Sequence, residues 1–281
     1  MNMIATLQLS PATNCSTAQK HQPALTNYAV ESFINLVDVM PIQAIDKAIA
    51  IFANSTKGIK KDAIDWITGN KRGIKQARAF IGLSKNNKMP AYTIAIPARE
   101  SCPRGGKLAK IKGTVCFDCY AVKGHDGMQP AITAKQRRWD VIQLALESTI
   151  IYDLWVAAFT LCMAKESFFR WHSAGDLFSA AYVAMVLDCI NRTLHVHHWI
   201  PTKEPILSRP LAGLVNCALR LSDDMVNQVK NKFKGLTSGV HTPANGGRGQ
   251  ACPASEKLQD GCQDCRACWS HDVAHVSYNI H

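Results

Sequence analysis

Seven of the eleven cysteines in this 281-residue chain fall into two groups. Cys102, Cys116 and Cys119 are spaced C-x13-C-x2-C; Cys252, Cys262, Cys265 and Cys268 are spaced C-x9-C-x2-C-x2-C. Both groups open on Cys-Pro and close on a short C-x2-C. The C-x2-C-x2-C run sets three thiolates on one tight loop, as ferredoxin-type iron–sulfur clusters do, and Cys252 makes a fourth ligand, enough to close a 4Fe-4S cubane. Zinc, which takes four tetrahedral ligands from two separated knuckles, is the alternative. The first group supplies only three thiolates. On a 4Fe-4S cluster that leaves one iron open to a small molecule, or to a ligand such as His125 or His172. A three-cysteine zinc site completed by a histidine, or one composite site of all seven cysteines, fits the same spacing. A lone C-x2-C also suits a thioredoxin-like redox pair, which seven grouped cysteines disfavour. The isolated Cys15, Cys162, Cys189 and Cys217 read mostly as small buried hydrophobes.

Composition sets the context. A hydrophobic share of 47% with 19% charged residues predicts a folded globule of one large domain or two small ones. The longest apolar run, Leu154–Ala164, sits between Asp153 and Lys165 and is too short to span a bilayer. The N-terminus lacks the basic start and apolar stretch of a secretory signal. The expectation is a cytoplasmic protein (host cytoplasm if phage-encoded) with no membrane segment, where grouped cysteines bind metal and do not form disulfides. The net charge of +11 is uneven: residues 57–138 hold 18 Lys/Arg against 5 Asp/Glu, a balance of +13, which leaves −2 elsewhere. Such a block suits nucleic acid or a phosphorylated ligand, or is a solvated basic surface.

The elements that must position these residues divide near residue 88. Residues 1–88 read as a basic helical N-terminal region: helices within Tyr28–Ala53, interrupted at Pro41, and over Asp62–Leu83, with Gly69 and Gly73 as breaks. Residues 89–281 read as a βα core carrying both cysteine groups. Strands are predicted at 89–97, 167–176, 195–204, 217–222, 235–241 and 275–281. Helices are predicted at about 131–147, 153–165, 180–191 and 224–233, with a short one near Pro210. This alternation predicts a parallel α/β core, a partial or complete βα barrel, with an open doubly wound sheet as the alternative.

Strand ends in such a core present side chains to the ligand-binding mouth. Arg170, His172, Asp176, Lys203, Glu204, Arg220 and His241 fall there. Arg170 and His172, two apart on a strand, are expected to share a face. Asp176 can orient a histidine or accept from an amine, and Lys203 and Arg220 can hold a carboxylate or phosphate. His172, Asp176, Lys203 and Arg220 are thus the catalytic candidates. His195, His197 and His198 read as the surface start of a strand. Asn245–Gly249 is glycine-rich but lacks the lysine and setting of a phosphate loop, and reads as a flexible approach to Cys252.

The segments SCPRGGKLAKIKGTVCFDCYA, FRWHSAGDLFS, WIPTKE and CPASEKLQDGCQDCRACW resemble a family of phage and prophage proteins named after gene product eighty-eight of a mycobacteriophage. The resemblance covers about residues 85–281 and is strongest at the cysteines. More distantly, the layout is similar to radical S-adenosylmethionine enzymes, in which a strand leads into C-x3-C-x2-C holding a 4Fe-4S cluster at the mouth of a partial βα barrel. The resemblance implies that Ser173, Gly175 and Asp176, at the end of the second core strand, lie beside the methionine part of S-adenosylmethionine. It also implies that the C-terminal cysteines hold an auxiliary cluster. The departure is the first gap, thirteen residues instead of three; the basic, glycine-bearing insertion Pro103–Val115 is expected to loop out and leave the ligands together. A radical-type enzyme is one implication. The alternatives are a non-enzymatic iron–sulfur or zinc protein that binds nucleic acid through residues 57–138, and a phage partner protein in which the metal sites are structural braces.

Overall fold

A computed structural model describes residues 71–85, 88–230, 232–255 and 261–280. The helices expected within Tyr28–Ala53 and the first part of Asp62–Leu83 lie outside these residues. Helix α1, Lys71–Ile81, runs through Gly73 without a break. It lays Ala77, Phe80 and Ile81 into the main core, on the other side of the boundary drawn at residue 88.

The chain then alternates strand and helix. Strand β1 is Ser84–Lys85, β2 Tyr92–Ala95, and a short helix α2, Pro103–Leu108, follows. Two long helices, α3 (Gln129–Glu147) and α4 (Thr149–Met163), lead to β3, Phe168–Ala174. Helix α5, Ala180–Arg192, precedes β4, His197–Thr202, and β5, Cys217–Ser222. Strands β6 (Thr237–His241), β7 (Gln250–Ala251) and β8 (His275–Asn279) complete the sheet. Its order is β1-β2-β3-β4-β5-β6-β8-β7, parallel from β2 onward, with β1 antiparallel at the edge.

Strands β2 to β6 lie side by side in chain order, with none of the reversal that defines a doubly wound sheet. Crossovers of one hand running in one direction put their helices on one face of a sheet, and the packing of the four longer helices reflects this. Phe169 and Trp171 of β3, Ile200 of β4 and Cys217 of β5 pack with α1, α3, α4 and α5. Helix α4 is apolar nearly all round because it lies between the sheet and other helices, with Leu154, Trp155, Phe159 and Met163 buried. Ser148 and Ser179 start α4 and α5 by accepting the N–H groups of Ile151 and Tyr182. The opposite face carries Met89, Ala91, Trp199 and Val276, covered by the C-terminal cysteine segment with Trp269. The sheet of the described strands is open.

Two local expectations are corrected. Segment 224–233 forms no helix among its described residues. Its backbone bonds elsewhere: Val115 N–H donates to Asp224, Val226 N–H to Gly113 and Asn227 N–H to Val240, and Asn227 has φ 58°. A left-handed residue and these cross-chain bonds leave no helical ladder. His198, read as part of a surface strand start, is fully buried between Trp171 Nε1 at 3.2 Å and Thr193 Oγ1 at 2.9 Å. Burial lowers it to a pKa of about 3.

Candidate metal centre

The insertion between Cys102 and Cys116 does not loop out. It forms α2 and folds back across the strand ends. Arg104 N–H donates to Glu204 Oε1 at 2.5 Å and its guanidinium meets Asp224 at 2.5 Å. Thr114 then bridges to Met225, the residue that follows Asp224 beyond the end of β5. This fold-back returns Cys116 to Cys102. A Cβ on Gly105 would stand 3.5 Å from Cys116 Sγ, 3.9 Å from Cys102 Sγ and 3.0 Å from Cys102 Cβ, so glycine keeps the space between the thiols open. Lys135, buried on α3, donates to the carbonyls of Ala121 and Asp126 at 2.8 Å and pins the loop after Cys119.

The three thiols act on one another electrostatically. Burial pushes Cys102 up to about 12, and the negative charges of Asp176, Cys119 and Cys116 add to the rise. Burial also raises Cys116, while Lys203 beside it opposes the rise. Metal binding here would displace thiol protons, and Lys203 supplies positive charge for the thiolate.

The end of β3 abuts this group. Gly175 has φ 86°, and a Cβ there would fall 2.2 Å from Ile96 Cγ1 and 2.5 Å from Ser101 Oγ. Only glycine allows the turn and the close approach to the residue before Cys102. Asp176 N–H donates to Ser101 O. Its buried carboxylate accepts from Thr202 Oγ1 at 2.5 Å, Leu177 N–H at 2.7 Å and Lys203 N–H at 2.8 Å. Burial nevertheless raises its pKa to about 6. Ser173 hydrogen-bonds Ile94 O through its hydroxyl and accepts the Tyr120 hydroxyl at its carbonyl. Lys203 Nζ donates to Asp223 O, and burial lowers its pKa.

His172 departs from the expected shared face with Arg170. The register shifts between Thr93 and Ala95, opposite Arg170 and Ala174, and His172 has φ 57°. This bulge turns His172 toward α5, where its Nε2 meets the Tyr182 hydroxyl at 2.8 Å. Burial, with Arg170 adding, lowers its pKa to about 3. Arg170 stays on the opposite face, 4.6 Å over the Trp199 ring. His125 is exposed in a short turn, Gly124–Gly127.

The second group is built on the covered face of the sheet. Cys252 N–H donates to Ser277 O and Cys262 N–H to Lys88 O, both at 2.8 Å, and Cys265 N–H to Cys262 O at 2.7 Å. Trp269 Nε1 donates to Phe169 O at 3.0 Å. Arg220, expected at the mouth holding an anion, is fully buried and gives its N–H groups to the carbonyls of Cys268, Thr237, Ala267 and Ser270. It anchors the cysteine loop. Burial raises Cys268 to about 12, against the Tyr278 hydroxyl at 3.2 Å. Cys252 interacts electrostatically with both Cys262 and Cys268, and Cys265 with Cys262. No disulfide joins any two of the described cysteines.

Among the described residues no three His, Cys, Asp or Glu side chains converge on a single ion. A cubane makes a different demand, since each cysteine binds a different iron. Gly105 leaves room between Cys102 and Cys116, which is what a cluster bridging those two thiols would need.

A cavity of about 240 Å³ is lined by Asp223, His241, Arg248, His275 and Ser277 together with Gly246 and Gly247. The segment read as a flexible approach to Cys252 is thus one wall of a polar cavity. His241, one of the strand-end candidates, lies here, whereas Asp176, Lys203 and Glu204 gather at the first cysteine group. Asp223, which sequence reasoning passed over, pairs with Arg248 and accepts from Gln228 at 2.9 Å. The Asp-Asp pair after a predicted strand was its available signal.

No curated protein and no solved structure matches this chain. A family match spans residues 66–271, beginning upstream of the expected residue 85 and taking in α1, and on that match the chain belongs to the gene product 88 family.

Proposed function

We propose that this chain is an iron–sulfur protein of radical S-adenosylmethionine type. Cys102, Cys116 and Cys119 would hold a 4Fe-4S cluster with one open iron, and Cys252, Cys262, Cys265 and Cys268 an auxiliary cluster. The observation that supports the reading is the fold-back of α2, which returns Cys116 to Cys102 beside the Ser173–Asp176 turn. The open sheet, with β2 to β6 parallel and in chain order, supports the partial-barrel part of this reading. When bound, such a cluster supplies single electrons and an open coordination position. The protein's own part is to hold the thiols apart at Gly105, to place Lys203 against Cys116, and to offer Asp176 as a buried carboxylate for a cationic amine. Anaerobic purification should yield about eight iron and eight sulfide per chain, and S-adenosylmethionine should change the electron paramagnetic resonance signal of the reduced protein. Zinc without sulfide would overturn the reading.

A second reading has its own observation. Lys107, Lys110, Lys112 and Lys123 are exposed near the exposed rings of Phe117 and Tyr120 along the first cysteine loop. Cations interleaved with rings suit a single-stranded nucleic acid.

A further inference from the structure

Arg170 stands between the two cysteine groups. Its Nη2 donates to the Tyr120 hydroxyl at 3.3 Å, one residue beyond Cys119. On the other side it rests on Met89 and Trp199, which pack in one cluster with Cys252, Cys262 and Cys268. Nη1 rests 3.8 Å from Met89 Sδ, and the guanidinium stacks on Trp199. Its Nε is buried without a hydrogen bond among the described residues. Nor do the described residues give it an Asp or Glu partner; the acidic groups near it are Tyr120, Tyr278 and Cys268. Holding a cation in such a place is costly unless negative charge faces it. Negative charge can reach it from Cys268 on one side and from the segment of Tyr120, next to Cys119, on the other.

We propose that Arg170 is a positioning residue that couples the two cysteine sites: one guanidinium, linked to the first group through Tyr120 and resting on the cluster that holds Cys262 and Cys268 of the second, stabilises added negative charge at either. This rests on the iron–sulfur reading. A cluster that gains an electron becomes more negative, so a fixed cation beside it favours the reduced form. Because the sites share that cation, charge on one weakens its hold on the other.

The experiment is a potentiometric titration of the reconstituted full chain, followed by electron paramagnetic resonance, after iron and sulfide have been counted. Arg170→Gln should shift the reduction equilibrium of both clusters by about tenfold toward the oxidised form, equal to about 59 mV for one electron. Arg170→Lys should recover most of the shift. Two loaded clusters with unchanged potentials, or a shift confined to one, overturn the coupling and leave the iron–sulfur reading standing. Absence of iron and sulfide in the unaltered chain overturns both. If Arg170→Gln does not load, Tyr120→Phe decides. That exposed side chain loses only its hydroxyl, and the first cluster alone should shift; no shift overturns the proposal.

Discussion

Glu204, just past β4, accepts the backbone N–H of Arg104 at 2.5 Å and so ties the first turn of α2 to the sheet. The thirteen-residue gap between Cys102 and Cys116 depends on this tie, because α2 returns the chain to its starting point. Glu204→Ala should cost about 1 kcal/mol, as loss of a helix-end acceptor does, and should speed alkylation of Cys102 and Cys116 in the metal-free chain. Glu204→Gln keeps an acceptor and should behave nearly like the unaltered protein. Equal alkylation rates in all three, read by mass spectrometry, would refute the assignment.

Arg220→Met tests the other loop. The substitution takes the guanidinium donor from the carbonyls of Thr237, Ala267, Cys268 and Ser270, of which Ala267 keeps the Ser270 N–H. Urea unfolding should show a loss of about 3 kcal/mol or more. Iron should fall by about half, the first site keeping its share. If stability and iron content both hold, Arg220 is not the anchor.

Acid stability gives a test with opposed signs. Burial raises Asp176 from 3.8 to about 6. The folded state therefore holds the extra proton between those values, and this group's stabilisation is full at low pH and lost as pH rises through about 6. His172 and His198 are lowered from 6.5 to about 3, and His275 to about 4. There the unfolded state takes the protons first, so stability present above 6.5 is lost as pH falls. Three histidines outweigh one carboxyl, and the metal-free chain should lose stability on acidification, with Asp176 as a partial offset. Asp176→Asn removes the offset, so its loss between pH ~7 and ~4 should be steeper by up to about 3 kcal/mol. A urea-midpoint profile parallel to that of the unaltered chain would count against the buried carboxyl.

If the lysine-rich first loop grips nucleic acid, binding to single-stranded DNA or RNA should fall about tenfold or more between ~50 and ~200 mM salt. The double charge reversal Lys110→Glu with Lys112→Glu should weaken it further. Anisotropy titrations that show no binding, or none that depends on salt, exclude this use of the loop.

Much of the frame was legible in the sequence. Strand–helix alternation after residue 89 located β2 to β6 and β8, because fully buried parallel strands are short apolar runs bounded by turns. Spacing alone divides the seven cysteines into two sets, and the fold returns Cys116 to Cys102 and lays Cys252, Cys262 and Cys268 on the other face of the sheet. What escaped depends on long-range contacts. Arg104-Gly-Gly reads as a flexible insertion, yet Glu204 and Asp224, a hundred or more residues away, hold it as a helix. Alternation placed His172 beside Arg170, but the bulge in β3 reversed it. Arg220 had the composition of an anion ligand; only the fold showed that the cysteine loop's own carbonyls are its acceptors.

Strand β3 begins beneath Trp269 and ends at the turn packed on Ser101. Its seven residues span about 20 Å at ~3.3 Å each, less what the bulge takes up. The strand is therefore a common strut: Trp269, next to Cys268, holds the Phe169 carbonyl near its start, and Gly175, just past its end, packs on Ser101 next to Cys102, so a change in β3 reaches both cysteine segments at once.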